Sequence, residues 1–128
     1  MAEQLLKEGI LTEKAEISAV TAEGEACDRD SFFERPVLHH LEQVIRRVMA
    51  EDQDPHAFVK ELLRRNPHVW IIMDEVGSGI VPLDTDTRCW RETVGRISCL
   101  LSGEATDVYR VLCGIPRCLK KEGIYVSD

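Results

Sequence analysis

The chain has 128 residues, of which 16 are Lys or Arg and 23 are Asp or Glu, so its formal net charge is −7. This acidic excess, with no basic stripe, excludes a general nucleic-acid binder. Hydrophobic residues make up 44% of the chain, which is enough to bury a core and excludes a disordered protein. No apolar run approaches the roughly 20 residues that a membrane-spanning helix needs. The charged start also lacks the apolar region of a secretory signal. We therefore expect a single cytoplasmic domain over residues 1–128.

The first half of the chain is predicted to be mainly helical, because its apolar residues recur at helical spacing. The predicted elements are the end of a helix over 3–12, a short strand over 15–20, a polar loop over 21–31, a helix over 37–49 and a second helix that begins at Pro55. Asp54 is the expected N-cap of the second helix, and Asn66-Pro67 is its expected end.

The second half alternates strands with a long helix. An apolar, β-branched run over 69–75 predicts a buried strand of a parallel sheet, and a glycine-containing loop follows over 76–82. A helix is predicted over 85–105 and another apolar strand over 108–114, with a C-terminal tail from about residue 116. Buried parallel strands joined by helices indicate an α/β fold, in which ligands bind at the carboxyl ends of the strands.

The five cysteines are an odd number, so they cannot all pair within one chain. None is spaced as Cys-x-x-Cys, and none lies near a histidine at a zinc-ligand spacing. We therefore expect small buried hydrophobic side chains in a reducing compartment, and not a metal or redox site. The five are Cys27, Cys89, Cys99, Cys113 and Cys118.

Two carboxylates at the end of the predicted strand over 69–75 are the strongest candidate site. Asp74 and Glu75 could hold Mg²⁺ or orient a nucleophile. Gly77 and Gly79, directly after them, would allow the backbone to approach a ligand closely. The alternative is a strand-end acid that caps a tight turn.

Three arginines on the helix after that loop are the second candidate. Arg88 and Arg91 are three residues apart and share a helix face, and Arg96 follows. Guanidinium groups bind phosphates through charge-assisted hydrogen bonds. The alternative is a solvated basic face that pairs with Glu92 and other acids.

The histidines and the last lysines are expected to have no catalytic role. No histidine belongs to a His-Glu-x-x-His pattern, so structural histidines are favoured for all four: His39, His40, His56 and His68. His39 and His40 are adjacent on a predicted helix and should therefore point in different directions. Lys120 and Lys121 are expected to be solvated in the tail.

Three runs of residues resemble a known family. They are DEVGSGIVP at 74–82, RCWRETVGR at 88–96 and VYRVLCGIPRCLK at 108–120. Their order and spacing resemble the C-terminal half of the adenosylcobinamide kinase / adenosylcobinamide-phosphate guanylyltransferase family of cobalamin biosynthesis. The segment from Gly24 to Cys27 is more like the compact members of that family.

The resemblance implies a P-loop-kinase-like parallel sheet flanked by helices. It also implies phosphoryl transfer from GTP or ATP, with Mg²⁺, to the cobinamide side chain, followed by nucleotidyl transfer from GTP. Glu75 and Asp74 would be catalytic, with Asp74 at the metal. Contacts to the nucleotide phosphates would come from Gly77, Gly79, Arg88, Arg91 and Arg96. A homo-oligomer is also implied, with no nucleic-acid or membrane partner.

The sequence departs from that family at its N-terminus. It contains no Gly-x-x-x-x-Gly-Lys-Ser/Thr loop, and Met1 lies about where such a loop would end. None of the four histidines is a convincing counterpart of the histidine that is guanylylated in the full-length enzymes. We therefore expect a chain that lacks the first strand and the phosphate loop, whose amides and lysine stabilise the transferred phosphate. The alternative is a non-catalytic binding or assembly module that has lost this loop.

Overall fold

The computed structural model describes residues 21–76 and 84–126. Three short strands form a parallel sheet in the order β1 (Thr21–Glu23), β2 (Val37–His39) and β3 (Trp70–Ile72). Glu23 is in register with His39, and His39 with Ile72, so the three strands end together. The fold is therefore mixed α/β with a parallel sheet, as the sequence predicts.

Four helices lie among the described residues: α1 (Arg29–Glu34), α2 (Leu41–Ala50), α3 (Pro55–Arg65) and α4 (Thr85–Glu104). The Asp54 side chain accepts a hydrogen bond from the His56 N–H, and Pro55 opens α3, which confirms the predicted start of this helix. The α4 helix agrees closely with the predicted helix over 85–105, and Asp84 caps it through Thr87.

A core of apolar side chains joins the sheet to its helices. Leu38 of β2 is fully buried between the helices because both faces of a parallel strand are covered. Each of the four helices contributes buried apolar side chains to the same core. The buried cluster contains Ala22, Phe32, Leu38, Leu41, Val44, Ile45, Val48, Val59, Leu62, Val94 and Ile97.

The predicted helix over 37–49 is wrong at its start. Residues 37–39 form strand β2, and helix α2 begins only at Leu41. His40 separates the two elements with a left-handed backbone conformation, φ 62° and ψ 54°. Strand β1 and the start of α1 likewise lie within the predicted polar loop over 21–31. Both strands have three residues, which is too short for an alternating pattern to be recognised.

The C-terminal part also differs from prediction. Strand β4 (Val108–Leu112) pairs with β5 (Ile115–Lys121) in an antiparallel arrangement, and β6 (Ile124–Tyr125) pairs with β5. The predicted strand over 108–114 is therefore mostly exposed rather than buried in the parallel sheet, and the predicted tail is mainly a strand. Gly114, at φ +76°, allows the tight turn between β4 and β5.

The tail's Lys120 is 5% exposed, which contradicts its predicted solvation. Its Nζ donates to the carbonyl oxygens of Ser102 at 3.0 Å and Gly103 at 3.1 Å, in the last turn of α4. The positive charge therefore satisfies carbonyl groups that a helix end leaves free.

Among the described residues, no helix is long and apolar enough to cross a membrane. The cysteines are all free thiols, and Cys89, Cys99 and Cys113 are exposed. The prediction of buried cysteines is therefore wrong for these three. Cys89 and Cys99 lie on the outer face of α4, away from its buried Val94 and Ile97.

Candidate active site

The parallel strands bring ionisable side chains together at their carboxyl ends. Glu23 is the last residue of β1, His39 is the last of β2, and His40 follows it. Asp74 lies two residues beyond the end of β3. This edge is where open parallel sheets bind ligands, because loops diverge there and leave a crevice. We call Glu23, His39, His40 and Asp74 the strand-end cluster.

Glu23 holds both histidines of the cluster. The Nδ1 of His39 lies 2.9 Å from one carboxylate oxygen of Glu23, and the Nδ1 of His40 lies 2.6 Å from the other. The two imidazole rings are stacked, with centroids 3.7 Å apart. Partial burial raises the pKa of Glu23, but the hydrogen bond from His40 and the charges of both imidazoles outweigh it and leave the pKa lowered.

His40 also faces a second carboxylate. Its Nε2 lies 3.6 Å from Oδ2 of Asp74, and its backbone N–H donates to the Ile72 carbonyl at 2.8 Å. Burial lowers the pKa of His40, but the hydrogen bond and charge of Glu23 prevail, so the pKa is raised above the ordinary value. The His40 imidazole therefore joins the ends of β1 and β3 through Glu23 and Asp74.

Glu42 is a buried residue that contacts the backbone of the strand-end cluster at Asp74. Its side chain is 1% exposed, and its carboxylate accepts a hydrogen bond from the backbone N–H of Asp74 at 3.2 Å. Burial raises the pKa of this carboxyl group. The Trp90 indole donates to the Glu42 carbonyl at 2.8 Å, so α4 is anchored to the first turn of α2 at the same place.

Gly24 allows the loop after β1 to pass close to the histidines. Its N–H donates to the His39 carbonyl at 2.7 Å. A Cβ atom at this position would lie 2.2 Å from the carbonyl oxygen of His40 and 3.0 Å from that of His39. Arg47 fixes the same loop by donating to the carbonyls of Gly24 and Cys27, both at 2.9 Å. The position of Glu23 therefore depends on a glycine at 24.

The structure separates the two carboxylates that the sequence analysis treated as one site. Asp74 belongs to the strand-end cluster, whereas Glu75 forms an ion pair with Arg110 of β4, with Nε and Oε1 2.7 Å apart. The two side chains therefore face different partners although they are neighbours in the chain. Both side chains are exposed.

The predicted phosphate-binding residues are only partly described. Gly77 and Gly79 lie outside the described residues. Arg91 donates from Nε to the carbonyl of Val76, the last described residue before position 84. Arg88 and Arg96 are exposed on α4. No contact described here joins these two arginines to the strand-end cluster.

Sequence reasoning missed Glu23, Glu42 and the pairing of the two histidines. His39 and His40 were expected to point in different directions because they were assigned to a helix. In the structure one ends a strand and the other adopts a left-handed conformation, which turns both rings toward Glu23. The sequence did contain one signal. The apolar pair Val37-Leu38 comes directly before His39 and His40, and an apolar pair followed by polar residues is also typical of the end of a buried strand.

A family model described as cobinamide kinase / cobinamide phosphate guanyltransferase matches residues 28–119. This range contains the histidines, Asp74 and Glu75, the three arginines, and the hairpin of β4 and β5 except for the last two residues of β5. Glu23 precedes it. No curated protein is a significant match to the chain.

Proposed function

Since the chain belongs to the cobinamide kinase / cobinamide phosphate guanyltransferase family, we propose that it transfers a phosphoryl or nucleotidyl group to the cobinamide side chain in cobalamin biosynthesis. The observation that carries this proposal is the position of Asp74. It lies just beyond the carboxyl end of a parallel strand, 3.6 Å from the His40 imidazole, and its backbone N–H donates to the buried Glu42 carboxylate. This is the edge at which such folds bind nucleotides.

The fold we propose is that of a P-loop-like kinase. The parallel order of β1, β2 and β3 with helices on the sheet supports it. We propose that Gly77, Gly79, Arg88, Arg91 and Arg96 contact the nucleotide phosphates, because guanidinium groups and glycine backbone bind phosphate oxygens well.

A magnesium–nucleotide complex fits Asp74 better than it fits Glu75. Mg²⁺ is usually held by one or two carboxylates, with water and substrate phosphates as the other ligands. Asp74 has an exposed carboxylate on the cluster side, whereas the Glu75 carboxylate is paired with Arg110. The ion would neutralise and align the phosphate oxygens. The residues of the chain would orient it, with Glu42 fixing the backbone of Asp74 and the His40 ring lying beside the Asp74 carboxylate.

Calorimetry with the full chain tests this proposal. GTP and ATP are titrated in the presence and absence of Mg²⁺, and phosphorylation of cobinamide is followed by mass spectrometry. We expect Mg²⁺-dependent binding that weakens about ten-fold or more in Asp74→Asn. Glu75→Gln is expected to lose less nucleotide affinity, since the wild-type Glu75 carboxylate is paired with Arg110. Asp30→Asn, an exposed carboxylate in the first turn of α1, is the matched control for loss of a charge.

A second function, as a binding or assembly module, is favoured by one observation. The antiparallel sheet exposes large apolar side chains, among them Leu112 at 57%, Ile115 at 70% and Ile124 at 72%. Exposed apolar surface of this kind marks interaction sites in folded proteins, and a homo-oligomer would cover it. A cooperatively unfolding chain that binds neither nucleotide would refute the transferase proposal and leave this one.

A further inference from the structure

The strand-end cluster contains a set of donor atoms that magnesium–nucleotide chemistry does not require. A carboxylate oxygen of Glu23 and one ring nitrogen each of His39 and His40 all lie within 4.8 Å of one another. We propose that these three side chains bind a divalent transition-metal ion of the zinc, nickel or cobalt class. The proposal does not rest on the transferase function, since Asp74 and not this triad is the proposed partner of the nucleotide.

The donor set selects the class of ion. Imidazole nitrogens bind zinc, nickel and cobalt, whereas magnesium and calcium prefer oxygen ligands. Two histidines with one carboxylate are a common set of three protein ligands for zinc, with the remaining position open to water or substrate. The side chains of Glu23 and His39 are each 36% exposed and that of His40 is 25% exposed, so an ion can enter and keep an open position.

The distances require a small rearrangement. Ligand atoms around a tetrahedral ion with bonds of about 2.0–2.2 Å lie about 3.3–3.5 Å apart. The two nitrogens now lie 2.9 Å and 2.6 Å from the Glu23 oxygens, so each contact must open by less than about 1 Å. The imidazole planes already differ by 29°, and further rotation about the side-chain bonds would aim both nitrogens at one point.

A second observation comes from the far side of His40. Histidines that bind metals through one ring nitrogen almost always donate the other N–H to a carboxylate or carbonyl, which orients the ring. The Nε2 of His40 lies 3.6 Å from the Asp74 carboxylate, while its Nδ1 faces Glu23. The backbone of Asp74 is in turn fixed by the buried Glu42. Asp74 is therefore a positioning residue for this site.

Binding of Zn²⁺ and Co²⁺ to the full chain, stripped of metal by a chelator, tests the site without any nucleotide. We expect one ion per chain by calorimetry and visible cobalt bands typical of nitrogen and oxygen ligands. His39→Ala and His40→Ala should each weaken binding at least ten-fold. The matched controls His56→Ala and His68→Ala lie outside the cluster and should bind as the wild type does.

Several results would overturn the proposal. The first is a folded wild-type chain that binds neither ion. The second is unchanged metal affinity in the His39 and His40 variants. The third is a cobalt spectrum with thiolate charge-transfer bands, which would place the ion on a cysteine. If an alanine variant does not fold, Glu23→Gln replaces it, because Gln keeps a hydrogen-bond acceptor while removing the charged ligand. Loss of metal binding in Glu23→Gln with an unchanged unfolding temperature supports the site. If neither the wild type nor any variant binds nucleotide, that result would concern only the transferase proposal.

Discussion

The buried carboxylate of Glu42 accepts a hydrogen bond from the backbone N–H of Asp74 at 3.2 Å. Thirty-two positions separate these residues in sequence, and the contact joins the first turn of α2 to the segment after β3. An almost fully buried carboxylate is costly unless its hydrogen bonds are satisfied. This contact therefore fixes the backbone from which Asp74 reaches the strand-end cluster.

Replacement of Glu42 by Gln should change how stability depends on pH. Burial raises the pKa of Glu42 in the folded chain above its ordinary value of 4.5. An acid with a raised pKa contributes stability that is fully present below its unfolded pKa and is lost as pH rises through the folded pKa. Glu42→Gln keeps an acceptor for the Asp74 N–H and has no charge to bury. We expect the variant to gain stability relative to wild type as pH rises above about 4.5.

Urea unfolding from pH 4 to pH 8 measures this difference. Glu92→Gln, which removes an exposed carboxylate of α4, is the matched control and should follow the wild-type curve. A Glu42→Gln variant whose stability stays parallel to that of wild type across the range would show that the Glu42 carboxylate is not destabilised by burial.

Gly24→Ala should disrupt the carboxyl end of the sheet. The new Cβ would lie 2.2 Å from the His40 carbonyl oxygen, a backbone atom that cannot move without moving β2. Overpacking of this kind costs about 1–3 kcal/mol or more of unfolding free energy. Gly95→Ala is the matched control, since nothing lies within 4 Å of its Cβ position in helix α4. That substitution should stabilise the chain by about 0.5–1 kcal/mol. Equal effects of the two substitutions would contradict the close packing at Gly24.

Lys120→Met should loosen the contact between β5 and the end of α4. The buried ammonium group donates to the carbonyls of Ser102 and Gly103, and Met keeps the length of the side chain without the donor. Loss of charge-assisted hydrogen bonds should cost about 2 kcal/mol. Hydrogen exchange should become faster in the last turn of α4. Lys121→Met, at an exposed position of the same strand, is expected to reduce the free energy of unfolding much less. A larger loss in Lys121→Met than in Lys120→Met would refute the role given to Lys120.

The exposed thiols should react readily with a disulfide reagent in the native state. Cys89, Cys99 and Cys113 are exposed, whereas Cys27 and Cys118 are half-buried. Cys27 accepts a hydrogen bond from the Glu23 N–H at its sulfur, which further limits access. We expect three fast and two slow thiols in the native chain and five fast ones in guanidinium chloride. Five equally fast native thiols would show that the loop holding Cys27 opens freely.

The sequence by itself determined the elements that carry strong local signals. Helix α3 begins where Asp54 and Pro55 predict, because a cap and a fixed φ act within one turn. Helix α4 is long enough for its apolar spacing to be recognised. The apolar run over 69–75 does contain a strand, β3, and its pairing is parallel. The family resemblance, which depends on runs of adjacent residues, is confirmed by the match over 28–119.

Only the tertiary structure decided the composition of the candidate site. Glu23, His40 and Asp74 meet because the three parallel strands end in register, and that register depends on long-range hydrogen bonds and on burial of Leu38. Strands β1 and β2 have three residues each, too few for an alternating pattern, and the apolar spacing of β2 runs into that of α2. The backbone direction after β3 likewise assigns Asp74 to the cluster and Glu75 to Arg110, although the two acids are neighbours in sequence.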